Sequence, residues 1–206
     1  MSRPQCPRCQ RPERLCLCPL IPRLDSRTRV LVLQHPSEAG HALNTARFAA
    51  LGLQQAELWV GEVFAELPAR LADPEVDARL LFPGEDAQVL PAGLVDAPRP
   101  LLLVVPDGTW RKARKLLHLN PALATLPRVT LPEGEPSRYR LRKAPGPGAL
   151  STLEAITRAL ELLEPATCFE ALLRPFEALI EGQISAMGAE TYQRNHAGTG
   201  PSAAKP

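Results

Sequence analysis

No apolar run in this sequence approaches the roughly 18 residues that a membrane-spanning helix needs. The first residues, Met1-Ser2-Arg3-Pro4-Gln5-Cys6, contain no hydrophobic stretch of the signal-peptide kind. These two absences exclude the usual membrane and secretory readings and predict a cytoplasmic protein without a membrane partner. No large excess of either charge is present: the net charge is +2, so any surface for a polyanion must arise from local clustering. Cysteine is scarce beyond residue 18, where only Cys168 remains, and it is expected in the core. There is no internal repeat. At 206 residues and 22.4 kDa the chain accommodates one α/β domain and a small appendage, with too little length for two ordinary domains.

The other four cysteines stand together as Cys6-x-x-Cys9 and Cys16-x-Cys18. In a reducing compartment they are poor candidates for disulfides. Four closely spaced thiols instead fit a structural zinc site, because thiolates favour zinc and a closed four-sulfur tetrahedron is its usual structural form. Residues 1–27 therefore read as a zinc-binding arm, 28–195 as the main α/β domain, and 196–206 as a disordered, small and polar tail.

Regular structure is expected from residue 30 onward. Val30–Leu33 is a short continuous apolar run, the mark of a strand buried on both faces. Asn44 is placed to cap a helix that ends at Gly52. Ala56–Val60 and Arg79–Phe82 are further strand candidates. Leu101–Val105 is the clearest strand and leads through Pro106-Asp107-Gly108 into a helix that stops at Asn120-Pro121. Arg128–Leu131 reads as a strand and Tyr139–Lys143 as extended chain. The prolines of 132–150 indicate an ordered loop. Ser151 and Glu154 have the spacing of a capping box, and Cys168–Met187 is a long helical pattern that Pro175 should kink or split. Strands alternating with helices imply a largely parallel sheet.

Two features point to chemistry. Asp107-Gly108-Thr109-Trp110 lies beyond the carboxyl end of a central strand and at a helix start, where α/β enzymes place ligands. Asp107 or Thr109 could equally serve as a helix cap there, with Trp110 packed against the fold. From 107 to 143 there are nine Lys/Arg against three acids, a local +6 that exceeds the net charge of the chain. Such polarisation suits a phosphate backbone, and extended chain at Arg138, Arg140 and Arg142 would point three arginines one way.

The motifs Gln34-His35-Pro36-x-Glu38, Asn44-Thr45-x-Arg47, Asp107-x-Thr109-Trp110, Ser137-x-Tyr139-Arg140-Leu141-Arg142-Lys143 and Leu150-Ser151-Thr152-x-Glu154-Ala155 occur in this order behind a cysteine arm. In this the chain resembles the DTW-domain tRNA-uridine aminocarboxypropyltransferases. The resemblance implies a SPOUT-like α/β fold with a mostly parallel sheet and a C-terminal trefoil knot. It also implies transfer of the 3-amino-3-carboxypropyl group of S-adenosylmethionine to N3 of a tRNA uridine.

By the same resemblance Asp107, Thr109, Trp110, Tyr139, Arg140, Leu141, Ser151 and Thr152 would border the donor. Asp107 is the candidate base for the N3 proton, with holding the donor's amino group as a competing role. Arg47, Arg111, Lys112, Lys115, Arg138, Arg142 and Lys143 are the candidate tRNA contacts, and Cys6, Cys9, Cys16 and Cys18 the zinc ligands. No obligate protein partner is implied. A SPOUT-like methyltransferase and a non-catalytic zinc-dependent RNA-binding module are the alternatives.

Overall fold

The computed structural model describes residues 4–93, 98–141 and 149–196. Six strands form one sheet: β1 (Arg29–Gln34), β2 (Ala56–Val60), β3 (Asp77–Leu81), β4 (Gln88–Val89), β5 (Leu101–Asp107) and β6 (Arg128–Thr130). Their order is β2-β1-β5-β3-β6-β4, and every pairing is parallel. Seven α-helices lie among the described residues: α1 (Pro36–Ala39), α2 (Ala46–Gly52), α3 (Leu67–Leu71), α4 (Trp110–Leu119), α5 (Thr152–Leu163), α6 (Arg174–Met187) and α7 (Ala189–His196). None is long and apolar enough to cross a membrane.

The unbroken apolar runs of β1 and β5 follow from burial on both faces of the sheet. Val30 and Val32 join Leu103 and Val105 in one layer of the core, with residues of α2, α5 and α6. Leu31 and Leu33 join Leu102 and Val104 in the other, with residues of α3 and α4. Each fully buried Leu or Val contributes about 1.5–3 kcal/mol, so this alternation pins the strand register.

Several elements differ from expectation. β5 continues two residues further, to Asp107, because Gln34 and Asp107 still pair in the β1–β5 ladder. Helix α2 begins at Ala46 with Thr45 before it, although Asn44 Oδ1 does accept from Arg47 N at 3.4 Å. Pro175 splits the expected 168–187 helix. A 3₁₀ turn covers Glu170–Leu173 and α6 starts anew with Pro175 in its first turn, where a missing N–H costs nothing. Cys168 is exposed rather than in the core, since it lies in the turn between α5 and that 3₁₀ segment. The described part of the expected extended stretch is not extended: residues 138–141 bend and turn. The short elements β4 and α3 carry too few apolar positions to have been read from the sequence. The tail from 197 lies outside the described residues.

The cysteine-rich segment is tied to the main body. Cys9 and Ile21 are buried in the same core layer as α2 and α5. Leu24 N donates to Gly52 O, and Gln54 N to Leu24 O, each at 2.8 Å. Arg11 donates to Ala42 O. A Cβ at Gly52 would lie 2.7 Å from Leu172 Cδ2, so any larger residue at this junction would displace that buried side chain.

Candidate active site and cysteine cluster

A cleft of about 1400 Å³ opens at the carboxyl ends of β1, β3, β5 and β6. All eight residues expected around a donor line it: Asp107, Thr109 and Trp110 from the turn after β5, Tyr139, Arg140 and Leu141 from the loop after β6, and Ser151 and Thr152 at the start of α5. The carboxyl edge of a parallel sheet is where chain reversals leave such a crevice.

Asp107 is buried and held from two sides. Gln34 Nε2 donates to Oδ2 at 2.7 Å, and Thr152 Oγ1 donates to Oδ1. Gln34 is itself buried, and its amide exchanges hydrogen bonds with Asn44: Nε2 donates to Asn44 Oδ1 at 3.2 Å, and Asn44 Nδ2 donates back at 3.3 Å. Asn44 Nδ2 also reaches Glu38 O. Four separate sequence motifs thus meet in one polar chain, Asn44–Gln34–Asp107–Thr152. The sequence assigned Gln34 no role and Asn44 only that of a helix cap. The available signal was Gln34, a polar residue that ends a strand buried on both faces.

Asp107 does not cap α4. Thr109 does, accepting from Lys112 N at 3.4 Å. Between them Gly108 has φ +155°, and a Cβ there would stand 3.0 Å from Lys112 Cβ, so this turn needs glycine. Trp110 is 39% exposed and meets Phe82 edge-on with ring centroids 5.6 Å apart.

Glu154 organises the opposite wall. The capping box is present, with Ser151 Oγ accepting from Glu154 N and Glu154 Oε2 from Ser151 N. The same buried carboxylate accepts from Ser137 Oγ at 2.8 Å and from Arg138 N at 2.7 Å. It therefore fixes the loop that delivers Tyr139, whose ring packs edge-on against Phe176.

The expected polyanion contacts divide into two groups. Lys112 is paired with Glu38 and Lys115 with Glu62, each at 2.7 Å. Glu62 also accepts from His35 Nε2 at 2.8 Å, and Lys115 chiefly holds its carboxyl below the ordinary value. Arg138 pairs with Glu170 and Glu177, which raise its pKa further, and Arg140 pairs with Glu181. In contrast, no hydrogen bond or ion pair holds the side chain of Arg47, Arg111 or Arg114 among the described residues. Arg142 and Lys143 lie outside the described residues.

The four N-terminal sulfurs lie within 4.8 Å of one another. Cys6 Sγ is 3.6 Å from Cys18 Sγ, and Cys9 Sγ is 3.8 Å from Cys16 Sγ. A tetrahedron with metal–sulfur bonds of about 2.3 Å has edges of about 3.8 Å. The cluster thus fits a four-coordinate metal ion. Backbone N–H groups at Cys9 and Arg8 lower the Cys6 thiol to about 6, while burial and the adjacent sulfurs push Cys18 up to about 12.

A family model described as the DTW domain matches residues 3–184. The chain belongs to this family. The DTW domain match includes the cysteine cluster and every wall of the cleft. Two similar proteins are both named tRNA-uridine aminocarboxypropyltransferase 2. The one from Macaca fascicularis is 34% identical over 195 residues, covering 88% of this chain and 64% of its own length. The one from Mus musculus is 35% identical over 191 residues, with the same 88% and 64% coverage. A protein of that name from Drosophila melanogaster is 34% identical over 203 residues, 93% of this chain and 79% of its own. The DTW chain thus spans somewhat under two thirds of the two mammalian relatives. No solved structure matches it.

Proposed function

We propose that this DTW domain is a tRNA-uridine aminocarboxypropyltransferase that moves the 3-amino-3-carboxypropyl group of S-adenosylmethionine to N3 of a tRNA uridine. The observation that carries the reading is the cleft. It gathers the eight residues expected to border the donor, from three distant motifs, in a chain whose relatives bear that name. The SPOUT-like knotted path belongs to the same reading, supported by an all-parallel sheet whose site is built from the loops on both sides of residues 142–148.

The donor supplies a sulfonium with three carbon arms, and orientation decides which arm meets the nucleophile. In the proposed transfer an N3–Cγ bond forms as the Cγ–S bond breaks. Methylthioadenosine leaves with the bonding pair, and the N3 proton passes to a base or to solvent. The chain's part is mainly positional. Asp107, with a hydrogen bond on each oxygen, is a fixed anion at the cleft floor, suited to hold the donor's ammonium or to accept the N3 proton. Trp110 offers an aromatic face to a nearby cation. Arg140 has Glu181 as its partner, so binding of the donor carboxylate there would exchange one acid for another. Ser151 and Thr152 offer hydroxyls beside it.

Zinc is the ion that the cysteine cluster best fits, given four sulfur donors with edges near those of a zinc–thiolate tetrahedron. It would fasten the arm that carries Cys9 and Ile21 into the core. Unbridged thiols of this kind suit a reducing cytoplasm.

Incubation with S-adenosylmethionine and tRNA, followed by mass spectrometry of both products, tests the reading. Methylthioadenosine and a uridine heavier by the aminocarboxypropyl group are expected. Release of S-adenosylhomocysteine would make the chain a methyltransferase, and neither product would leave an RNA-binding module.

A further inference from the structure

We infer that the outward face of α4 at Trp110 and Arg114 is the landing site for one nucleotide of the substrate RNA, with its base against the indole and its phosphate on the guanidinium. This rests on the reading of the chain as an RNA-modifying enzyme, and it assigns the acceptor side of the cleft.

Helix α4 carries four cations and no acid, and its neighbours sort them. Lys112 and Lys115 pair with Glu38 and Glu62, acids of the segments after β1 and β2. Two of the four charges are thereby neutralised by the protein itself. Arg111 and Arg114 are exposed and have no partner among the described residues. Of these two, Arg114 lines the cleft.

Trp110 and Arg114 are four positions apart, so they share a helix face, separated by about 6 Å at 1.5 Å per residue. A nucleotide with its base at the cleft mouth has its own phosphate at a comparable distance. An aromatic ring followed by a cation is the pattern that binds unpaired RNA, where bases stack on aromatic side chains and Lys or Arg tracks the backbone. At 39% exposure Trp110 is one of six large apolar side chains left open to solvent among the described residues. A base lying on it would be next to the turn of Asp107, where the donor's reacting carbon must be. The arginines of 138–140, each already matched by acids of the 170–181 region, do not offer the same uncommitted charge.

The test is filter binding of the full chain to tRNA across a salt series, beside calorimetric titration with S-adenosylmethionine. Arg114→Ala should weaken tRNA binding several-fold and lower the slope of log affinity against log salt by about 0.7, the loss expected for one phosphate contact on an unpaired strand. Its donor affinity should equal that of the wild type, and Arg114→Lys should keep most of the slope. Arg99→Ala, at the opposite end of β5, should leave the slope as it is. Wild-type affinity and slope in Arg114→Ala would overturn the inference, as would equal loss of tRNA and donor binding, which marks a folding defect. A wild-type chain that binds tRNA through Arg114 yet releases no methylthioadenosine would overturn the transfer reading while supporting this one.

Discussion

Gln34 Nε2 donates to Asp107 Oδ2 at 2.7 Å, joining the last residue of β1 to the last residue of β5 below the cleft. Both side chains are buried, and Asn44 completes the amide's contacts. Gln34→Leu removes a donor from a buried carboxylate, a loss of about 1–3 kcal/mol, while Asn44 keeps Glu38 O and Arg47 N as partners. Denaturant unfolding should show that loss, and titration calorimetry should show weaker binding of S-adenosylmethionine. Unchanged donor affinity would mean that Asp107 keeps its position without Gln34.

If Trp110 flanks the sulfonium as proposed, Trp110→Ala should weaken binding of S-adenosylmethionine by about 0.5–2 kcal/mol. Asp107→Asn separates two roles. If Asp107 takes the N3 proton, the variant binds donor nearly as well as the wild type but turns over slowly, and raising the pH restores part of the rate. If it holds the ammonium, donor affinity falls and alkaline pH does not help.

Glu154→Ala removes the acceptor of three donors, Ser151 N, Ser137 Oγ and Arg138 N. Loss of the capping contribution alone is worth about 0.5–2 kcal/mol. The melting temperature should drop, and donor affinity should drop with it because Tyr139 loses its anchor. A Glu154→Gln variant, which keeps an acceptor oxygen, should fall between.

Lys115 holds the Glu62 carboxyl below its ordinary value of 4.5. A depressed folded value means that the Glu62 contribution to stability is fully present above the ordinary value and disappears as pH falls through the lower one. The stability difference between wild type and Glu62→Gln should therefore be constant near neutrality and shrink below pH 4.5. A difference that persists in strong acid would assign the effect to packing.

One zinc per chain is the expected result of metal analysis on protein purified without chelator. Cys9→Ser should lose it and loosen the core, since Cys9 is buried there. Four thiols alkylated freely under native conditions would refute the site.

Much of the frame was legible because it depends on local pattern. The continuous apolar runs of Val30–Leu33 and Leu101–Val105, the Ser151 and Glu154 capping box, and the stop at Asn120-Pro121 each encode their element within a few residues. The site was legible as a list of motifs. Its assembly was not, because Gln34 and Asp107 meet only through the pairing of strands 73 positions apart.

The sequence by itself determined the longer strands, both ends of α4 and the start of α5, the four-thiol cluster and eight of the side chains that line the cleft. The tertiary structure decided which charges remain uncommitted. Counted along the chain, residues 107–143 carry nine Lys/Arg against three acids. In three dimensions Glu38 meets Lys112 across 74 positions, and Glu177 meets Arg138 across 39. Charge composition is additive along a sequence, but Coulomb interaction depends on distance and local solvent. Only the fold sets those, and it leaves Arg114 open beside Trp110.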